Sequence, residues 1–70
     1  MEPYKERMQQ EYRELRERYN KLHNLIVKAE AGTLPFELSC PLELLKRQKK
    51  YMGCYLNILE IRAEIEKVEL

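Results

Sequence analysis

Apolar residues recur along the first part of the chain at alternating spacings of four and three. The members of this series are Met8, Tyr12, Leu15, Tyr19, Leu22 and Ile26, and Tyr4 extends it by one step. This spacing places the side chains on one face of an α-helix and forms a heptad seam. Pro3 suits the first turn of a helix, and Gly32 suits the position that ends one. The pattern predicts a helix from about residue 3 to residue 31.

A short connection follows, and then a second helix. Pro41 is expected in the first turn of that helix, with Ser39 or Cys40 as its N-cap. Gly53 is the only further helix breaker, so the helix is predicted to continue to the C-terminus. Phe36, within the connection, is expected to close the open end of the helix pair.

The second helix has more apolar residues than one partner helix can cover. One stripe consists of Leu45, Met52, Tyr55 and Leu59, interrupted by Gln48; another consists of Ile58, Ile61, Ile65 and Val68; Leu44, Tyr51 and Leu56 belong consistently to neither. Exposed apolar stripes of this length are unusual on monomers. The predicted fold is therefore all-α: an antiparallel hairpin of two long helices, forming a single domain over residues 1–70. We expect it to assemble through the second helix into a homo-oligomeric bundle, a dimer or a tetramer, which Leu59→Asp or Ile61→Asp would dissociate.

Gly53 lies inside the second helix, where a glycine costs about 1 kcal/mol relative to alanine. Two interpretations stay open. Either another backbone approaches the helix at this position, or the helix tolerates the glycine.

Composition leaves partner subunits as the main source of extra stability. The chain has 70 residues, with 13 Lys/Arg against 12 acids, all of them Glu. Chains this short often need a disulfide, a metal or a partner. Cys40 and Cys54 would lie about 21 Å apart on one helix, too far for a disulfide. His23 is the only histidine, so no metal or cofactor is expected. Without a long apolar run, we expect a soluble, intracellular protein and no membrane contact.

The catalytic constellations of common enzymes are missing. Aspartate is absent and Ser39 is the only serine. An antiparallel hairpin places His23 near the level of residue 50, so it could contact Cys40 or Cys54, but no other group prepares a site for a developing oxyanion. The sequence predicts a binding protein with no catalytic residues.

A basic segment stands near the start of the second helix. Residues 42–53 contain four Lys/Arg and one Glu, a net charge of +3, whereas residues 60–69 have a net charge of −2. The basic segment is either a solvated helix face or an anion site in which Lys50 contacts a phosphate and Tyr51 stacks on a base. The balanced charge of the whole chain argues against a DNA or RNA ligand.

Arg62 also allows two interpretations. In the predicted hairpin it lies level with Glu11, which is four residues from Arg7. The three residues form either an interhelical salt bridge or a pocket. In the pocket, the two arginines would contact phosphates and Glu11 would accept a hydrogen bond from a guanine edge. A buried Arg–Glu pair contributes little net stability, which keeps the pocket in consideration.

The chain resembles a small phage-encoded helical-hairpin family first noted in crAss-like gut phages. The resemblance rests on Arg7-Met8, Glu11-Tyr12 with Leu15, Lys21-Leu22, Leu44-Leu45 with Gln48, Met52 with Tyr55, and Ile58-Leu59 with Arg62. Gly53, Cys54 and the two prolines of the connection lie outside this pattern.

The resemblance implies a function. Members of the family include anti-CBASS sponges, tetrameric proteins that sequester cyclic dinucleotides such as cyclic GMP-AMP without cleaving them, in the cytoplasm of the infected bacterium. A symmetric oligomer suits such a ligand, because it supplies two copies of each side chain. The candidate ligand residues are Arg7, Glu11, Lys50, Tyr51, Tyr55 and Arg62. The alternative is an adaptor or inhibitor that binds a protein through an exposed helix face.

Overall fold

The protein is an antiparallel hairpin of two long helices. The computed structural model describes residues 2–70. Helix α1 spans Pro3–Ala31 and helix α2 spans Leu42–Glu66. The rod they form measures 45 × 17 × 17 Å. The predicted all-α hairpin is confirmed.

Both ends of α1 lie where the sequence predicts them. Glu2 is the N-cap, in an extended conformation, and Pro3 opens the first turn. Gly32 ends the helix with a φ of 76°, in the left-handed region that a glycine enters without strain. Its N–H donates to Ala29 O at 3.3 Å, and the N–H of Thr33 donates to Lys28 O at 2.9 Å. These bonds satisfy carbonyls that the end of the helix would otherwise leave unpaired.

The start of α2 differs from the prediction. Pro41 is itself the N-cap, with φ −61° and ψ 140°, and no side chain caps the helix. Its carbonyl oxygen accepts from the N–H groups of Leu44 and Leu45 at 3.0 and 3.4 Å. The expected cap by Ser39 or Cys40 is wrong, because the extended ψ of Pro41 moves the first helical residue one position along.

The second helix also ends earlier than predicted. It stops at Glu66, and Lys67 has a φ of 58°. The turn brings the N–H of Val68 to 2.8 Å from Ala63 O and buries the Val68 side chain in the core. The tail is also tied to α1, since Gln9 donates from Nε2 to Glu69 O at 2.7 Å. The prediction of a helix to the C-terminus is therefore wrong.

The core runs along the contact between the two helices. It consists of Met8, Tyr12, Leu15, Leu56, Leu59, Ala63 and Val68, with Tyr19 and Met52 packed against it. On α2 the residues that face α1 are Met52, Leu56, Leu59 and Ala63, which we call the inner stripe. Leu56 replaces Tyr55 in this role, so the predicted membership of the stripe was partly wrong.

One further heptad series on α2 points away from α1. We call it the outer stripe: Leu44, Gln48, Tyr51, Tyr55, Ile58, Arg62 and Ile65, all exposed. Four of its members immediately precede the four inner-stripe residues, so the two stripes are offset by about 100° around the helix. Ile65, for example, is 74% exposed.

Two expectations for single side chains fail. Leu59 is only 2% exposed and packs against α1, so Leu59→Asp would disrupt the hairpin itself instead of an oligomer. Phe36 is 59% exposed and does not close the end of the helix pair. Ile61 is exposed, as a contact residue between copies would have to be.

Candidate functional site

The hairpin has two long sides, one on each side of the plane that contains both helix axes. Each side has its own groove between α1 and α2. The outer stripe borders one groove, and a cluster of lysines lines the other.

The groove on the outer-stripe side is mainly apolar. It has a volume of about 580 Å³. Its lining comes from both helices: Leu15, Arg18, Lys21, Leu22 and Leu25 on α1, with Gln48 and Met52 on α2.

Arg7 and Glu11 lie on this same flank of α1, nearer its N-terminus. Glu11 is seven residues before Arg18, and Arg7 is fourteen before Lys21, so each shares a helix face with a residue of the apolar groove. The two side chains line a surface depression of about 530 Å³ together with Glu6. The structure therefore brings these two predicted site residues together.

Arg62 does not pair with Glu11. It donates from Nε to Glu66 Oε2 at 3.0 Å, one helical turn further along α2. The hydrogen bond and the charge of Glu66 raise the pKa of Arg62, and the nearby phenols of Tyr55 and Tyr4 act in the same direction. The interhelical salt bridge considered for Arg62 is therefore wrong, because a partner on the same helix satisfies the guanidinium.

The Arg62 neighbourhood presents groups that suit a nucleotide. Tyr55 is 42% exposed and Tyr4 is 40% exposed. A guanidinium can bind phosphate oxygens in a fork, and phenol rings can stack on bases. Sequence reasoning included Tyr55 but missed Tyr4, which extends the α1 seam by its spacing yet lies half open to solvent.

Tyr51 and Lys50 lie apart from this cluster. Tyr51 is on the outer stripe and 62% exposed, but eleven residues separate it from Arg62, about 16 Å along the helix. Lys50 points to the opposite side of the hairpin. Within a single chain, five of the six predicted residues therefore lie on the outer-stripe side of the hairpin, and Lys50 lies on the opposite side. The six residues do not converge at one point.

The opposite side carries the basic groove, which we call the lysine groove. Its volume is about 390 Å³. It is lined by Tyr19, Ile26 and Glu30 on α1 and by Lys46, Lys49, Lys50 and Gly53 on α2.

Two of these lysines have defined partners. Lys46 Nζ is 3.4 Å from Glu30 Oε1 and 3.7 Å from Glu43 Oε1. Lys49 Nζ lies 5.7 Å from the centre of the Tyr19 ring, within cation–π range. Among residues 2–70, the ion pairs do not include Lys49 or Lys50. Sequence reasoning noticed the run of charge but missed Tyr19, because its heptad position marked it as a core residue.

Groups suited to metal chemistry are not assembled in the part of the chain that the structure describes. Within residues 2–70, no three His, Cys, Asp or Glu side chains converge as a metal site would require. Cys40 and Cys54 are both free. Over the same residues, no helix is long and apolar enough to cross a bilayer.

Comparison with known proteins identifies the family. A protein-family model called Sequestin matches residues 2–65, nearly the whole chain. The chain belongs to the Sequestin family. No curated protein and no solved structure matches it. Membership in this family indicates a small helical protein that binds and sequesters a signal molecule, and not an enzyme.

Proposed function

We propose that this member of the Sequestin family is a phage anti-defence protein that sequesters a cyclic dinucleotide immune signal, such as cyclic GMP-AMP, without cleaving it. It would act in the cytoplasm of the infected bacterium. Family membership supports sequestration of a signal. The observation that carries the choice of a nucleotide is the position of Arg62 on the exposed outer stripe, on the same helix face as Tyr55, which lies seven residues before it.

The ligand chemistry follows from these groups. A cyclic dinucleotide has two phosphates and two purine faces. Arg62 and Arg7 would contact the phosphates, Tyr55 and Tyr51 would stack on the bases, and Glu11 would accept from a guanine edge. Lys50, on the other side of the hairpin, would contribute a longer-range positive potential. A sponge needs affinity alone, and micromolar to nanomolar capture requires about −8 to −12 kcal/mol.

The outer stripe supports assembly of identical copies. Ten large apolar side chains are exposed among residues 2–70. Six of them belong to α2, and five of these six are on the outer stripe. The α1 helix has only one heptad seam, and α2 already covers it. A second copy is the occupant we propose for the outer stripe, because the stripe is exposed and mainly apolar along its whole length and can therefore pair with an identical stripe.

Antiparallel pairing of two α2 helices would join the apolar positions of the two outer stripes. The order of apolar and polar positions in the outer stripe is the same from either end. In an antiparallel pair, Leu44 would therefore lie level with Ile65 of the partner subunit. In that register Tyr51 of the partner subunit lies level with Ile58, one turn from Arg62. Pairing would therefore bring Tyr51 of the partner subunit close to Arg62, although these two residues are far apart within a single chain.

Calorimetric titration with cyclic GMP-AMP tests the function. We expect saturable binding, recovery of the intact ligand after heat denaturation of the complex, and loss of binding in Arg62→Ala. Arg13→Ala is a matched control, since Arg13 lies on the exposed face of α1, away from the outer stripe. Linear dinucleotides, mononucleotides and ADP-ribose serve as comparison ligands. Absence of binding to every cyclic dinucleotide would refute the proposed ligand.

A protein ligand for the outer stripe is the competing outcome. If the pure chain stays monomeric and binds no nucleotide, while a bacterial protein forms a stoichiometric complex that Ile58→Asp abolishes, the protein is an adaptor or inhibitor.

A further inference from the structure

We propose that the lysine groove is a second anion site, separate from the outer stripe, which takes a diphosphate group. The group can come from inorganic pyrophosphate or from a nucleoside diphosphate. This inference goes beyond the proposed function, since the groove lies on the other side of the hairpin and stays open when copies pair through the outer stripe.

The charge of the groove is the first argument. Lys46, Lys49 and Lys50 lie three and four residues apart, so their ammonium groups repel one another on one face of α2. Glu30 is the only acid among the lining residues, and it pairs with Lys46 at 3.4 Å. The lining therefore keeps a net charge of +2. A bound anion relieves the repulsion between the two remaining lysines.

The second argument is the position of Tyr19, which lines the groove opposite the lysines. The Tyr19 ring positions Lys49 through a cation–π contact, with Lys49 Nζ 5.7 Å from the ring centre. A pre-positioned ammonium loses less conformational entropy on binding than a free one. The Tyr19 hydroxyl lies beside Gly53, 3.8 Å from where a Cβ at that position would be. It can donate a hydrogen bond to a phosphate oxygen in the groove.

The shape of the groove favours a diphosphate over a base. Its volume of about 390 Å³ is at the small end of the range for ligand sites, roughly 300 to 1,000 Å³. Lys49 lies close to the Tyr19 ring, and Gly53 of α2 packs against the same ring. These contacts leave the ring poorly placed to stack on a base. Gly53 adds no side chain to the lining. Two phosphate groups match the two lysines that have no carboxylate partner.

An NMR titration of the whole chain with inorganic pyrophosphate at low salt tests the site. We expect the amide signal of Gly53 to shift in a saturable way. This signal is easily followed, because the chain has only two glycines. Lys50→Glu and Lys49→Gln should each weaken binding roughly tenfold or more, through the loss of one charge-assisted contact. Lys21→Glu is the control, since Lys21 is on the other side and 76% exposed.

The outcomes distinguish a nucleotide from inorganic pyrophosphate as the source of the diphosphate. They also distinguish a failure of this inference from a failure of the proposed function. Tighter binding of ADP than of pyrophosphate identifies a nucleotide as the source, and equal binding identifies the diphosphate alone. Equal weakening by Lys21→Glu and Lys50→Glu, or no shift of Gly53, overturns the site. A chain that binds cyclic GMP-AMP but not pyrophosphate refutes this inference only, and a chain that binds pyrophosphate alone refutes the proposed function only.

Discussion

The ring of Tyr19 on α1 packs against Gly53 on α2. A Cβ built at residue 53 would lie 3.4 Å from Cε2 of that ring and 3.8 Å from its hydroxyl oxygen. The neighbour of Gly53 in the hairpin is therefore a side chain and not a second backbone. Because 3.4 Å is an ordinary contact distance, alanine fits at this position without moving the ring.

Gly53→Ala should stabilise the hairpin. Alanine is favoured over glycine inside a helix by about 1 kcal/mol, and the new methyl group meets no clash. Urea denaturation at a fixed protein concentration should show an increase in the free energy of unfolding of roughly 0.5–1 kcal/mol. Gly32→Ala is the control and should be destabilising, since its φ of 76° disfavours a side chain. If Gly53→Ala is the destabilising variant, the backbone of another copy approaches α2 there.

Adjacent residues on α2 should separate folding from assembly. Ile58 is 53% exposed and Leu59 is 2% exposed. Leu59→Ala should lower the free energy of unfolding by about 2–5 kcal/mol, because it opens a cavity in the core. Ile58→Asp should leave the helix content unchanged by circular dichroism and reduce the mass in sedimentation to a single copy. Ile58→Asp chains that sediment like the wild type would place the interface elsewhere.

Glu66 should compete with an anionic ligand for Arg62. Its Oε2 occupies the Nε–H of the guanidinium at 3.0 Å. Glu66→Gln weakens this competition and removes a negative charge, so cyclic GMP-AMP should bind several-fold more tightly in calorimetry. Glu64→Gln removes the same charge from the same turn without touching Arg62, and should change the affinity less. Equal effects of the two variants would indicate general electrostatics instead of a contact with Arg62.

Val68 should contribute to stability although it lies beyond the helix. Its side chain is 8% exposed and belongs to the core. Val68→Ala should lower the free energy of unfolding by about 1–2 kcal/mol. Leu70→Ala, at a position 48% exposed, should change it by less than about 0.5 kcal/mol. A Val68→Ala chain as stable as the wild type would mean that the tail does not pack on the core in solution.

Local signals made the first helix predictable. Pro3 and Gly32 act through their own backbone preferences, so they mark the ends of α1 whatever surrounds them. The turn at Lys67 carries no such signal. Its left-handed conformation is held by the burial of Val68, which depends on the packing of the complete hairpin and cannot be read from neighbouring residues.

The second helix shows where periodicity stops being sufficient. Two heptad stripes offset by one residue are both apolar, and spacing alone does not say which of them faces α1. Leu56 faces α1 and is 6% exposed, whereas Tyr55 stays 42% exposed, with its phenol on the outer stripe. The partner of Arg62 is a local signal that could have been read from the sequence, because Glu66 lies four residues further along the same helix.

The sequence indicates which residue types the candidate site contains, but it indicates only in part how those residues are placed around the hairpin. Arg7 and Glu11 were expected close together and are. Lys50 was grouped with Tyr51 because they are adjacent in sequence, yet successive helix positions diverge by about 100° and these two face different sides of the hairpin.

Native mass spectrometry of the purified chain, with cyclic GMP-AMP added, tests the central claim most directly. One spectrum reports both the number of 8.5 kDa copies and the mass of the bound ligand. We predict a dimer or tetramer that carries the intact cyclic dinucleotide. A folded single copy without ligand, at micromolar protein and excess cyclic GMP-AMP, would contradict the account.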